Sequence, residues 1–327
     1  WEQGADSQQA VQWHRRAAEW AGANDPVEGL RHWRKVHELS ASLTDRASKE
    51  SRLRACCAIL LGSWRFGMSD DDARRYLDET RALADELGDS AAMAVALSGL
   101  ANQRGARGDL TGAIELATEA RGMLNDRMTL DEVIQVEGSA YWLNAGGRLS
   151  LALEGFERII RLSGGDPQKG RGLIGFSPLI WAERLTGRAL SEIGDFDACW
   201  PRAERAVRLA REDGAQELLA FALGSLGMNA YLAGGTSRVP VPDLRRACVE
   251  GVELAGVVGS RYTQLFAGFL LATAHFLSAD FTASEELFAE TLALARAEGT
   301  ALEYPGFFFA VWADSCLARG DVEAAIA

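Results

Sequence analysis

Gly108-Asp109-Leu110, Gly194-Asp195-Phe196, Ala279-Asp280-Phe281 and Gly320-Asp321-Val322 are four copies of one phrase: a small residue, an aspartate, an apolar residue. From aspartate to aspartate the steps are 86, 85 and 41 residues. A single unit of roughly 42 residues explains all three, and repetition at that period marks a helical solenoid. A small residue follows each aspartate by four positions (Ala113, Cys199, Ser284, Ala325), and in the first two copies alanines follow at eight and eleven (Ala117 and Ala120; Ala203 and Ala206). These offsets share one face of a helix. Side chains that small let a second helix approach to the roughly 8–10 Å of closely packed axes. The aspartate stands where an N-cap is wanted, accepting from orphan N–H groups and opposing the positive end of the dipole. The glycine before it suits the left-handed conformation that ends the preceding helix. Each phrase therefore reads as a tight turn between two antiparallel helices.

Weaker copies fill the gaps. Gly147-Arg148-Leu149, followed by Ala152, Phe156 and Ile159, has arginine in place of the capping aspartate; Pro242-Asp243-Leu244, followed by Ala247 and Leu254, comes after an insertion from Gly234 to Val241. Upstream, Asp70 to Asp72 precede Ala73 and Leu77, and Asn24-Asp25-Pro26 opens a helix with proline at its first position, where the missing N–H costs nothing. The expectation is an all-α chain of about eight antiparallel helix pairs in one domain over 1–327, the last pair cut in its second helix. Ser177-Pro178 and Tyr304-Pro305 fall where first helices of two pairs should begin, and Pro167, Pro240 and Pro242 fall in expected connections. Pro201 departs from the register, and predicts a late start or a kink in the helix after Asp195.

Of 327 residues, 48% are hydrophobic but only 8% aromatic, which suits a helical stack with a continuous core. No apolar run approaches the length of a membrane span, and Trp1-Glu2-Gln3 does not open a signal pattern; a soluble, cytoplasmic chain is expected. The net charge of −12 argues against direct binding of nucleic acid or an anionic membrane. Lysine occurs only at Lys35, Lys49 and Lys169 against many arginines, which with the alanine and glycine content suggests a high-GC bacterial genome.

Catalytic signatures are missing. His14, His32, His37 and His275 form no i, i+4 pair, and Cys56, Cys57, Cys199, Cys248 and Cys316 show no metal-site spacing, so neither a cofactor nor a metal is expected and the cysteines read as reduced and structural. The glycine-rich stretch from Gly164 through Gly175 lacks a GK[ST] ending and a preceding strand, and reads as a connection between pairs, not a phosphate loop. Glu285-Glu286 and Asp70-Asp71-Asp72 read as helix-start charge.

Aligned on Leu100-Ala101, Gly108-Asp109, Ala113, Ala117 and Ala120, or on Gly187, Gly194-Asp195-Phe196, Cys199, Ala203 and Ala206, the chain resembles the tetratricopeptide repeat in a version longer than its usual unit. The resemblance implies a right-handed α-α superhelix whose first helices line a concave face. In this register the groove slots take Ser98, Asn102, Glu137, Tyr141, Asn144, Arg184, Arg188 and Tyr231, a polar and aromatic set suited to a peptide or small ligand. Phe269, Phe276 and Leu277 replace polar slots in the late units, with Phe307-Phe308-Phe309 and Trp312 close behind; they read as core, as does the early set Trp13, Trp20, Trp33 and Trp64.

A narrower resemblance lies at Trp13 to Trp20 and Asn24 to Arg34, similar to the repeat region after the ATPase module of large bacterial proteins with an N-terminal class III adenylate/guanylate cyclase domain and an AAA-type or signal-transduction (STAND) ATPase. It implies a noncatalytic sensor or scaffold fragment that regulates an attached cyclase or ATPase, the start at Trp1 and the end at Ala327 fitting a fragment. Two alternatives stand beside it: a freestanding peptide-binding adaptor, and the sensor part of a STAND-type transcriptional regulator. The expected partners are a protein or peptide or neighbouring domains of the same polypeptide, and apolar ends at both termini imply self-association.

Overall fold

The computed structural model describes residues 7–22, 25–173, 175–235, 238–303 and 305–326; Trp1-Glu2-Gln3, Asn24, Tyr304 and positions 236 and 237 of the insertion lie outside them. Among the described residues there is no strand. In chain order the helices form eight pairs: α1 (Ser7–Ala21) with α2 (Pro26–Ser40), α3 (Arg46–Gly62) with α4 (Asp70–Leu87), and α5 (Ser90–Ala106) with α6 (Leu110–Gly122). The broken arm α7 (Leu130–Glu137) and α8 (Ala140–Ala145) pairs with α9 (Leu149–Ser163), and α10 (Pro178–Ile193) with α11 (Phe196–Asp213). Then come α12 (Gln216–Leu232) with α13 (Val241–Val258), α14 (Arg261–Leu277) with α15 (Phe281–Glu298), and α16 (Pro305–Ala318) with the short α17 (Val322–Ile326). The chain packs as two compact units, one of the described residues up to Gly105 with Asp109–Leu179, the other of Ala106–Gly108 with Ile180 onward.

The two helices of a pair are buried differently. α12 is buried without a break from Glu217 to Ala230, whereas α11 buries a stripe of Cys199, Trp200, Ala203, Ala206 and Ala210. A helix apolar all round is covered on every side, and one with a stripe faces water. From α3 to α14 the first helices thus carry the interior and the second helices the surface, whereas α1 and α16 bury only part of theirs. The small residues after the first three aspartates do what their spacing demands, Ala113, Ala117, Ala120, Cys199, Ala206 and Ser284 being fully buried, whereas Ala325 after the fourth is only partly buried.

The turns explain the repeated phrase. Gly194 (φ +92°) and Gly320 (φ +82°) are left-handed. The following aspartates donate backward across the turn, Asp195 N to Leu190 O at 2.9 Å and Asp321 N to Cys316 O at 2.9 Å. That is the six-to-one bond of a Schellman motif. The same aspartates open the next helix, Asp109 accepting from Gly112 N at 3.0 Å, Asp195 from Ala198 N at 3.1 Å and Asp321 from Ala324 N at 3.0 Å. Asp280 departs from the expectation: it makes no side-chain cap and sets its carboxylate 3.2 Å from His275 Nδ1. Arg148 likewise gives α9 no side-chain cap. At the third mark the left-handed residue is Ala279, φ +59°, where a Cβ is strained by about 1–2 kcal/mol. Ala279→Gly is expected to stabilise the protein by up to about 1 kcal/mol after the added freedom of the unfolded chain is set against it; a higher urea midpoint at unchanged slope is the readout.

One proline expectation needs correction, and at another, Pro201, the late start is not seen. α11 starts on time at Phe196 and continues through Pro201, which lies on the exposed side, so the Asp197 carbonyl that loses its partner is on the solvent side. Pro242 lies inside the first turn of α13, where a missing N–H leaves no bond unmade, and the connection ends at Pro240. The glycine-rich connection after α9 is pinned: Gln135 Nε2 donates to Gly170 O at 2.9 Å, and Gly170 itself is buried.

All five cysteines are buried and free. Burial pushes the thiols of Cys57 and Cys248 up to about 12 and that of Cys199 up to about 11, far from the thiolate that reactive cysteines need. The early tryptophans divide: Trp33 and Trp64 are core, but Trp13 is 53% and Trp20 75% exposed. Leu317, Val322 and Ile326 are exposed at the other terminus. Concentration-dependent association in light scattering is the expected result, weakened in Trp13→Ser/Trp20→Ser; a strictly monomeric wild type at high concentration would contradict it.

Candidate binding faces of the first helices

Side chains one repeat apart meet repeatedly on the first helices. In the first unit, Trp142 Nε1 donates to Asn102 Oδ1 at 2.8 Å, and Asn102 Nδ2 reaches Leu61 O at 3.5 Å. One carboxamide thus ties α3, α5 and α8 together. The Trp142 ring lies where a side chain at position 105 would be, so only glycine fits there. Tyr141 packs edge-on to Trp142 at 4.7 Å and is buried, as is Asn144 at 2% exposure. Ser98 donates inward to Ala94 O at 3.1 Å. Glu137, one of the expected groove slots, is instead clamped by Arg121 at 2.9 Å and Arg158 at 2.8 Å. It links its helix to α6 and α9 and offers no open carboxylate.

In the second unit an aromatic spine runs through successive first helices. Trp181 packs on Phe221 at 5.6 Å, Phe221 on Phe266 at 5.6 Å, Phe266 on Phe308 at 6.1 Å, and Phe308 stacks on Phe269 at 4.3 Å. Phe269 and Phe308 are core, as the sequence implied; Phe309 is 41% exposed. Arg184 lies over this spine, its guanidinium carbon 4.3 Å from the Trp181 ring and 5.3 Å from Phe221, while Nη1 donates to Ser225 Oγ at 3.1 Å. Arg188, one turn on, pairs with Glu192 at 2.8 Å. Both arginines are 2% exposed, packed in the interior and not spread along an open groove. Glu183, the residue before Arg184, is fully buried and clamped by Arg202 and Arg205 of α11, the same device as at Glu137.

Tyr231 is the open one. Its hydroxyl donates to Asp314 Oδ2 at 2.6 Å, and its ring meets Phe276 at 5.7 Å and Phe307 at 5.4 Å, both edge-on. Three first helices, α12, α14 and α16, so meet in one half-buried aromatic cluster that ends in the exposed carboxylate of Asp314. Phe276 and Phe307, read as core from the sequence, are only partly buried here, and Asp314 carried no signal: 83 residues separate it from Tyr231. Burial, together with the hydrogen bond and charge of Asp314, holds the Tyr231 phenol well above its ordinary value. A raised phenol favours the fold below pH 10, and that contribution is lost as pH rises beyond it. Asp314→Asn should bring the ionisation back toward pH 10, read as tyrosinate absorbance appearing at lower pH than in wild type, with Tyr231→Phe as the blank.

The six expected site residues therefore fall in two sets. Asn102 and Tyr141 share Trp142, with Asn144 close in sequence, in the first unit, and Arg184 and Arg188 on one face of α10 lie with Tyr231 of α12 in the second. Only Asn102 and Tyr231 keep partial exposure. A donor cluster that spacing did not disclose joins three helices of the first unit: ligand atoms of His37, Cys56 and Glu79 lie within 4.8 Å of one another.

No protein-family model matches the sequence, and no curated protein matches it. Solved structures do. The chain is similar to a Rap protein complexed with competence and sporulation factor, at 11% identity and TM-score 0.65 over 99% of this chain and 85% of that one. It is similar to NprR in complex with its cognate peptide NprX, at 11% identity and TM-score 0.56 over 98% and 86%. A signal-transduction ATPase with a tetratricopeptide-repeat sensor from Pyrococcus horikoshii aligns at 12% identity and TM-score 0.48 over 99% of this chain and 52% of that one, which decides nothing here. The fold class is that of tetratricopeptide-like helical-repeat proteins. No helix among the described residues is long and apolar enough to cross a membrane.

Proposed function

We propose that the chain is a noncatalytic regulatory repeat module that binds a peptide or an extended segment of a protein. The observation that carries this reading is the Tyr231, Phe276, Phe307 and Asp314 cluster, in which helices of three successive pairs present aromatic area around one exposed carboxylate. Half-buried aromatics beside a fixed polar group are the make-up of an interface hot spot. A basic side chain of the ligand would find ring faces and a carboxylate together. The two similar structures that hold a signalling factor and a peptide support the same class of ligand. Asn102, Tyr141, Asn144, Arg184 and Arg188 belong to this proposal as the residues that hold the first helices in register, with Asn102 the nearest of them to solvent.

Binding of an array of short peptides with basic residues flanked by apolar ones, measured by calorimetry, tests the site. Tyr231→Ala should weaken a bound peptide by about 2 kcal/mol, roughly thirty-fold. Equal affinity for wild type and variant would remove Tyr231 from the site. Regulation of an attached cyclase or signal-transduction ATPase rests on the resemblance at residues 13–34, and the reading frame upstream tests it: no nucleotide-binding module there would remove the link. A freestanding adaptor or the sensor of a transcriptional regulator would use the same peptide face.

A further inference from the structure

The first unit holds one group of side chains that peptide binding does not use. His37 comes from α2, Cys56 from α3 and Glu79 from α4, and their donor atoms lie within 4.8 Å of one another. Cys56 is fully buried, whereas His37 and Glu79 keep 21% and 19% of their side chains exposed, so the cluster is closed inward and reachable from outside. His37 Nε2 is 2.9 Å from Glu79 Oε2, the other carboxylate oxygen is held by Arg52 Nε, and the His37 ring packs edge-on to Tyr76 at 5.2 Å. Two of the three donors are thus held from outside the cluster, the carboxylate by an arginine and the imidazole by an aromatic wall. Outer contacts of this kind orient metal ligands in established sites.

We propose that His37, Cys56 and Glu79 form a binding site for a borderline divalent metal ion of the zinc type, with water completing four-coordination. One nitrogen, one sulfur and one oxygen donor make a set suited to zinc or cobalt, whereas calcium and magnesium take oxygen donors throughout. Zinc bond lengths place tetrahedral donors about 3.4–3.6 Å apart. His37 and Glu79 must therefore part by about 0.5 Å, and donor atoms now up to 4.8 Å apart must close to that range. On binding, Cys56 releases its thiol proton to solvent, His37 carries its proton on Nδ1 and presents Nε2, and Glu79 supplies Oε2 while Arg52 keeps Oε1. The ion joins the second helix of the first pair to both helices of the second.

Spectroscopic titration of the chelator-stripped, reduced chain with cobalt(II) is the test. The expected result is a thiolate-to-cobalt charge-transfer band in the near ultraviolet with tetrahedral visible bands, saturating at one equivalent and bleached by zinc. Cys56→Ser should abolish the charge-transfer band, while Cys57→Ser, whose thiol points to Ala92 O at 3.5 Å, should leave it unchanged. His37→Gln and Glu79→Gln, at partly exposed positions, should each weaken cobalt binding at least about ten-fold. A wild type with no band at saturating cobalt, or a band that persists in Cys56→Ser, overturns the site. Should Cys56→Ser lose its helical circular dichroism, the other two variants decide, and unchanged cobalt affinity in both overturns it equally.

Discussion

Gly105→Ala is expected to lower the unfolding free energy by about 3 kcal/mol, for one added methyl group. A Cβ at this position would lie 2.1 Å from Trp142 Cζ3, 2.3 Å from Cε3 and 2.4 Å from Cη2. No rotation of a methyl relieves that, so the indole must move. Overpacking in a filled core costs about 1–3 kcal/mol. Here the displaced ring also gives up its 2.8 Å bond to Asn102, worth about 1 kcal/mol, and with it the tie to Leu61 on α3. A double-mutant cycle isolates the mechanism: in a Trp142→Ala background, itself about 3–5 kcal/mol less stable, Gly105→Ala should cost less than about 1 kcal/mol. Urea unfolding of the four proteins gives the answer, and equal costs in both backgrounds would mean that the ring is not what excludes the methyl.

Phe308→Ala should cost about 3–5 kcal/mol, whereas the same change at its neighbour Phe309 should cost less than about 1 kcal/mol. The contrast follows from burial. Phe308 is 5% exposed and stacked on Phe269 at 4.3 Å, with Phe266 at 6.1 Å and Phe288 at 6.2 Å. Truncation would open a void beside a cavity of about 20 Å³ already lined by Phe269, Phe288 and Trp312. Phe309 is 41% exposed and leaves little behind when removed. Comparable melting temperatures for the two alanine variants would show that the aromatic spine does not hold the late pairs together.

What could be read from the residues was what is decided locally. Asp109 and Asp195 cap because a carboxylate two or three residues from free N–H groups needs nothing distant to find them, and Ala113, Cys199 and Ser284 are buried because helical spacing alone assigns their face. Asp280 kept the phrase but spent its carboxylate on His275, a choice set by a side chain in the preceding helix. Arg184 and Arg188 were read as groove residues, because two arginines one turn apart look the same on an open face as in the interior; Trp181, Phe221 and Ser225 hold Arg184, and Glu192 holds Arg188. Glu137 was read as a free acid because its partners sit 16 positions before and 21 after it. The same distance hid the donor set of His37, Cys56 and Glu79, spread over three helices with no spacing rule to connect them. Tyr231 was singled out by register, whereas its hydrogen-bond partner Asp314, 83 positions on, was not.

In the tight turns one aspartate is at once the last residue to bond back into one helix and the first to cap the next. Such a residue belongs to both helices, so a break in the chain there would remove the end of one and the start of the other together. Connections from a second helix to the next first helix run from the two residues 88–89 to the fourteen residues 164–177, and the first of these repeats the device, Asp89 N donating back to Ala84 O at 2.9 Å and its carboxylate accepting from Ala92 N at 3.2 Å. Duplication, permutation or grafting of pairs therefore has its natural joints at the longer connections, such as 123–129 and 164–177, and not at Gly88-Asp89. A unit cut at those longer joints would carry its doubly bonded aspartates whole.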